Sequence, residues 1–356
     1  MILSNSDNII RVGIAGLGRS GWNIHAKHLR ELPAQFCITA VTDAMQSRLT
    51  EAKSELGCNV YTDFDAMLAD DSVDLVVVAT PNPLHTAHAI AAMQAGKHAV
   101  CEKPFALNVA DADRAIAASK ATGKILAPFQ NRRFEPHFLK VKEILDSDAL
   151  GRVLQIRMTW HGFSRRWDWQ TLKQYGGGLL NNNGAHLIDQ ALTLLNDNEP
   201  EMFVDLKQGL SSGDTEDHVK VIFRNHAGLT IDVELTSVSA YEQDRWHICG
   251  TNGGLIGNTS KLQWKTVDWT TMPARPVERD THVSDRTYNR DEIQWAEHHW
   301  QEPENAPNVA TAFYDNLHQA LTQNKPLFVT PQSVRQQIRI LNRCHELCPT
   351  AFEIMH

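Results

Sequence analysis

The sequence predicts an α/β chain in two parts: a doubly wound parallel sheet, then an α+β segment with a large, mostly antiparallel open sheet. Three observations predict this. Short β-branched apolar runs at 9–15, 37–42, 58–61, 73–80, 98–101 and 125–129 alternate with stretches rich in Ala, Leu, Lys and Glu at helical period. Such runs suit strands covered by helices on both faces. Near Asn131 the pattern changes, and segments 152–160, 218–224 and 229–237 alternate polar and apolar residues, the mark of a sheet with one packed face. Finally, 356 residues suffice for two domains, which we place at 1–130 and 131–356.

The connecting elements follow from composition. Residues 84–95 and 108–122 read as crossover helices, their alanines allowing close approach to the sheet. Residues 135–147 read as the first helix of the second part, and 182–195 as a helix interrupting its strands. Residues 268–304 are crowded with charges, Trp, Pro and His and lack clear period, so they are expected to form a long surface excursion. Helices at 307–323 and 331–344 close the chain, each with Pro at or near its start, where a missing N–H costs little.

Composition bounds the function. Hydrophobic residues make up 42% and charged residues 21%, an ordinary globular balance. A net charge of −8 argues against a dedicated nucleic-acid binder. It does not forbid an anionic small molecule, because a local Arg pair can outweigh a diffuse field. Of the six cysteines, Cys58, Cys101 and Cys249 sit in or beside apolar runs and read as small buried hydrophobes. Cys344 and Cys348 flank His345 but have no further ligands at a familiar spacing, so no metal is expected. Residues 1–11 lack the features of a secretory signal, and no apolar run approaches the roughly 20 residues that span a bilayer. The expectation is a reduced, cytoplasmic protein with no membrane partner.

The first motif is Gly16-Leu17-Gly18-Arg19-Ser20-Gly21, directly after the first strand and opening a helix. Gly16 allows the tight turn, Gly18 lets a pyrophosphate approach the backbone, and Gly21 permits close helix–strand packing. The phosphates would sit on free amides at the helix start. This is the Rossmann dinucleotide fingerprint. Asp43 ends the second strand about 20 residues later, where a carboxylate accepts from both ribose hydroxyls. An acid there repels a 2′-phosphate and favours NAD, whereas neighbouring Arg48 could accommodate NADP. Ala79-Thr80-Pro81-Asn82-Pro83-Leu84-His85 makes a sharp turn at the carboxyl edge of the sheet, where ligands of open α/β sheets bind. Asn82 could cap the next helix, contact the cofactor, or do both.

Glu102-Lys103-Pro104 ends the fifth strand at the same edge. A partly desolvated Lys beside a nicotinamide cation has a lowered pKa and can exchange protons near neutrality. Gly176-Gly177-Gly178 leads into Asn181-Asn182-Asn183-Gly184-Ala185-His186-Leu187-Ile188-Asp189. His186 and Asp189 share one helical face, and Asp189 could orient the imidazole or accept a substrate hydroxyl. Trp160, Trp167 and Trp169 with Arg165 and Arg166 precede this segment. Indoles suit sugar faces and an Arg pair suits a carboxylate or phosphate, while an interface loop with solvated arginines accounts for them equally.

These pieces, in this order and with Ala95-Gly96-Lys97-His98 and Asn131-Arg132-Arg133-Phe134 between them, make the chain resemble the Gfo/Idh/MocA family, which contains glucose–fructose oxidoreductase and inositol dehydrogenase. The resemblance covers most of the chain. It implies a Rossmann domain, then a domain that carries substrate contacts and packs in homodimers or homotetramers. It also implies NAD(P)-dependent redox chemistry on sugars, polyols or their derivatives. The cofactor contacts it implies are Gly16 to Gly21, Asp43, Arg48, Thr80, Asn82, His85, Glu102, Lys103 and Asn131. The substrate contacts are Lys103, Asn182, His186 and Asp189, with Arg165 and Trp167 added from the residue reading.

Inositol-dehydrogenase relatives use the Lys of the Glu-Lys-Pro motif with an Asp-x-x-x-His pair. By position these are Lys103, Asn182 and His186, so the carboxylate is replaced by an amide that can bond a hydroxyl but not take its proton. Some sugar-oxidising members also resemble this chain in having Asn there. Proton transfer then rests on Lys103 and His186. Two rival expectations are an NAD-dependent glycosidase working through transient oxidation and a non-catalytic NAD(P)-binding regulator. Loss of the Lys would mark the regulator, and Lys103 is present.

Overall fold

The computed structural model describes residues 8–279, 281 and 288–349. Residues 1–7, part of the start read for a signal, and residues 280 and 282–287 of the expected excursion lie outside the described residues.

Six strands form the first sheet: β1 (Ile10–Ala15), β2 (Phe36–Thr42), β3 (Asn59–Tyr61), β4 (Leu75–Val78), β5 (His98–Cys101) and β6 (Leu126–Pro128). All pairs are parallel, in the order β3-β2-β1-β4-β5-β6. β4 is apolar and buried throughout, as a strand covered on both faces must be. The helices are α1 (Lys27–Arg30, continuing a π-wound Gly21–Ala26), α2 (Gln46–Leu56), α3 (Phe64–Leu68), α4 (His85–Gln94) and α5 (Val109–Thr122). Strand order reverses between β1 and β4, and that crevice is where ligands of such sheets bind.

The second sheet has eight strands: β7 (Val153–His161), β8 (Glu201–Lys207), β9 (His218–Arg224), β10 (Thr230–Thr236), β11 (Trp246–Gly250), β12 (Gly253–Gly257), β13 (Lys261–Thr266) and β14 (Ala296–Gln301). Their order is β14-β13-β12-β11-β7-β10-β9-β8, antiparallel except for the β7–β10 pair. α6 (Pro136–Asp146) and α7 (Ala185–Leu195) accompany it, and Phe138, Leu187, Phe223, Val233 and Trp246 share its buried core.

The expected excursion at 268–304 is corrected in part. Residues 296–301 form β14, the edge strand, which pairs with β13. Its Ala-Glu-His-His-Trp-Gln sequence hides the strand because an edge strand half in water does not require apolar alternation. Cys249 is also half-exposed, because it lies on the face of β11 opposite the core, whereas Cys58 and Cys101 are buried.

The closing helices α8 (Val309–Gln323) and α9 (Pro331–Leu347) return to the first sheet. Phe313, Tyr314 and Leu317 of α8 join the core on one of its faces, and Val334 and Ile338 of α9 join the other. α9 begins with Pro331 and is capped by Thr330, whose side chain accepts from Ser333 N.

Candidate active site

The Gly-rich loop is closed by contacts only glycine permits. Gly16 has φ +89°, and a Cβ there would lie 2.6 Å from the Ala79 carbonyl oxygen. At Gly21 a Cβ would fall 1.8 Å from the Gly16 oxygen. At Gly18 it would meet nothing within 4 Å, so the loop leaves open space where a diphosphate would approach. Ser20 makes no side-chain cap, and Arg19 is exposed beside this opening. Asp43 is anchored to the loop: its carboxylate accepts from Leu17 N at 2.7 Å and from Met45 N at 2.8 Å, and Arg48 lies 3.3 Å away. The residues present fit a dinucleotide.

Two expected cofactor contacts have other partners. His85 is 1% exposed, and its ring nitrogens lie 2.8 Å from the Pro104 carbonyl and 2.6 Å from that of Thr80. It clamps the turn after β4 to the Glu102-Lys103-Pro104 segment. Asn82 makes no side-chain cap; its amide donates to the Tyr175 carbonyl at 3.0 Å and ties the Rossmann edge to the glycine segment. Asn131 begins a half-buried 3-10 turn after β6, at the same edge as Lys103.

Lys103 is half-buried, follows β5, and precedes a cis peptide to Pro104. Its ammonium donates to both oxygens of Asn182, the side-chain one at 2.5 Å and the backbone one at 2.9 Å. Burial lowers its pKa; Glu102 opposes this, Arg132, Arg19 and Arg166 reinforce it, and the result is about 8. Glu102 accepts from Lys103 N at 2.9 Å and sits 3.2 Å from His25 Nε2, whose Nδ1 lies 2.7 Å from the Tyr314 hydroxyl. Burial alone would raise the Glu102 carboxyl, but His25 and Lys103 hold it at about 2.

His186 reaches the same edge from the start of α7, after a π-wound turn at Leu180–Gly184. Its Nδ1 lies 2.8 Å from Gln130 Oε1, while Gln130 Nε2 donates to the Ala185 carbonyl at 3.2 Å. The second bond fixes the amide orientation, so Nδ1 carries the proton and Nε2 keeps a free lone pair. Burial first, then the charges of Lys103, Arg132 and Arg245, hold the pKa well below the usual imidazole range. His186 is a neutral imidazole.

The remaining substrate-side residues stand with other partners or in solvent. Asp189 does not orient His186: its carboxylate takes two bonds from Arg133, Nε at 2.6 Å and Nη2 at 2.5 Å. The helical spacing permitted a shared face, but a buried guanidinium offers far more than an imidazole already held by an amide. Trp167 is 78% exposed, and Arg165 is exposed with its guanidinium 3.3 Å from the Ser212 hydroxyl. The members of that stretch tied to the cleft are Arg166 and Gln170. Arg166 donates to Gln170 Oε1 at 2.7 Å, and the same oxygen lies 3.4 Å from Asn182 Nδ2.

Sequence reasoning missed Gln130, although it directly precedes Asn131 at the sheet edge, a position that could have flagged it. It also missed Arg245 and Glu216, which no motif marks. Among the described residues no group of three His, Cys, Asp or Glu side chains is disposed to hold a metal, and no helix is long and apolar enough to cross a membrane.

A dinucleotide cradle with a Lys of lowered pKa and a neutral His at one sheet edge defines an NAD(P)-dependent oxidoreductase. Comparison with known proteins gives the family. Residues 10–130 match the oxidoreductase family with an NAD-binding Rossmann fold, and residues 138–256 match the GFO/IDH/MocA C-terminal domain. The chain belongs to the GFO/IDH/MocA oxidoreductases. It is 32% identical to a myo-inositol 2-dehydrogenase of Thermotoga maritima, covering 70% of this chain and 75% of that one. It is 30% identical to an uncharacterized oxidoreductase of Schizosaccharomyces pombe, covering 69% and 70%. The crystal structure of an NAD-binding protein of Listeria innocua superposes with a TM-score of 0.77 at 26% identity, covering 98% of each chain.

Proposed function

We propose that this enzyme interconverts a secondary alcohol and a ketone on a sugar, polyol or sugar derivative. The observation that carries the reading is the meeting of Lys103, held by Asn182, with the neutral base His186, held by Gln130, beside the Gly16–Gly21 loop. The myo-inositol 2-dehydrogenase of Thermotoga maritima, a relative with a polyhydroxylated ring in its name, supports the substrate class.

The nicotinamide, when bound, supplies a two-electron acceptor or donor. The chain's own residues handle the proton. His186 Nε2 accepts the hydroxyl proton during oxidation and returns it during reduction. The Lys103 ammonium stabilises the developing alkoxide and, with a pKa of about 8, can relay a proton to solvent. Asn182 orients Lys103 and offers its amide N–H to a substrate hydroxyl. Asp43 at the adenosine ribose favours NAD; Arg48 beside it leaves NADP as the second candidate. Exposed Phe203 and Ile256 on the second sheet support assembly as a homodimer or homotetramer, which light scattering would read.

Lys103→Ala is expected to retain NADH binding, read by nicotinamide fluorescence, while kcat on an identified substrate falls about 10²- to 10⁴-fold. Turnover equal to the parent enzyme would overturn the assignment of Lys103.

A further inference from the structure

The cleft holds more positive charge than its carboxylates answer. Trp160, near the end of β7, has two guanidinium groups against its indole, those of Arg132 and Arg245, each 4.6 Å from the ring centroid. Arg132 follows Asn131 at the edge of the first sheet, and Arg245 directly precedes β11 of the second, so the pair bridges the two layers. The Arg245 carbonyl accepts from Thr159 N at 3.0 Å, fixing its backbone beside Trp160.

The carboxylates beside Arg132, Lys103 and Arg133 are committed. Glu135 forms an ion pair with Arg132, accepts from Gln190 Nε2 at 2.8 Å, and lies 3.2 Å from His137 Nε2. Glu102 serves His25 and Lys103 N, and Asp189 serves Arg133. Asn182, beside Lys103, is neutral and adds no negative charge. Arg245 is left over: its Nη1 is buried and has no hydrogen-bond partner among the described residues. A buried guanidinium N–H without a protein acceptor is costly, and in native structures a ligand, an ion or an ordered water completes it. Indole stacking fixes the plane of the group but accepts none of its N–H bonds.

We infer that Arg245, with Arg132, is a specificity determinant that binds an oxyanion substituent of the substrate, a carboxylate or phosphate carried by the sugar or cyclitol ring. The inference rests on the hydride-transfer reading above. A guanidinium edge matches an oxyanion with paired N–H donors, and the Trp160 indole holds the Arg132 and Arg245 groups in place beside one another. Burial, with Arg132 adding to it, lowers the Arg245 pKa to about 10 despite Glu135, so the group is still charged near neutrality. Arg165 and Arg166, the pair that the sequence offered for an anion, are otherwise engaged: Arg165 with Ser212, and Arg166 with Asp168 and Gln170.

The test compares hexuronates, their methyl esters, the parent hexoses and hexose 6-phosphates as substrates for the full-length enzyme with NAD and NADP. The expected result is a kcat/KM at least about ten-fold higher for an anionic member than for its uncharged partner. Whether the uronate or the phosphate leads identifies the oxyanion. Arg245→Gln should collapse that ratio about ten- to a hundred-fold through KM, and Arg245→Lys should restore part of it. Equal or better turnover of uncharged members overturns the inference, and the parent enzyme alone decides this if Arg245→Gln does not fold. So does an unchanged ratio in Arg245→Gln, which would mean that water alone satisfies Arg245. Failure of every substrate class while NADH still binds would instead overturn the hydride-transfer reading.

Discussion

Asn182 gives Lys103 two neutral acceptors, at 2.5 and 2.9 Å, where a carboxylate would give it a counter-charge. The amide therefore holds the ammonium in place without adding a counter-charge. Asn182→Asp would favour the charged form of Lys103 and move its pKa up from about 8. The alkaline limb of the kcat/KM profile, read from NADH formation between pH 6 and about 10, should then shift to higher pH. An unmoved limb would mean that Lys103 does not set it. Lys103, Asn182 and His186 were singled out because they lie in the motifs that carry the family resemblance, and the structure brings Lys103 and Asn182 into contact. Gln130 and Arg245 were not. A Gln that fixes an imidazole tautomer 56 positions away carries no local pattern, and an Arg at a strand start reads as surface until its indole partner is in place.

The glycine segment that carries Asn182 is shaped by an element the sequence left unmarked. Glu216, just before β9, is buried; its Oε1 accepts from Leu180 N at 2.9 Å, and a Cβ on Gly178 would lie 2.2 Å from that oxygen. Gly178, at φ +104°, is therefore required twice, by its backbone and by the carboxyl beneath it. Burial raises the Glu216 pKa from 4.5 to about 7, against the pull of Leu180 N and Lys173. A carboxyl raised in the folded state stabilises it fully below pH 4.5, and that contribution is lost as pH rises through about 7. The loss is on the order of 3 kcal/mol. The melting temperature of the parent protein should fall between pH 5 and about 8, and Glu216→Gln should flatten that slope. An equally steep slope in the variant would place the titration elsewhere. Strands carry the same lesson. β9 and β10 alternate along most of their length and were legible, whereas Gly-rich β12 and polar β13 and β14 take their form from neighbours in the sheet.

Across the whole molecule, the doubly wound sheet and its ligand-binding edge were readable from the first 130 residues, but the source of its covering was not. Tyr314 is fully buried in the first core, and its hydroxyl lies 2.7 Å from His25, which in turn contacts Glu102 beside Lys103. Tyr314→Phe should keep the packing and lose that bond, destabilising the protein by about 1 kcal/mol in urea unfolding. An unchanged midpoint would show that the hydroxyl contributes nothing. The return of α8 also orders events during synthesis. Translation delivers the nucleotide-binding strands long before residues 309–323 leave the ribosome, so a nascent chain stopped at residue 300 exposes the surface that Phe313, Tyr314 and Leu317 later cover. Such a stalled chain should be cut by protease within its amino-terminal half, and should become resistant only once the last helices have emerged. The nucleotide-binding strands are made well before the helix that completes their covering.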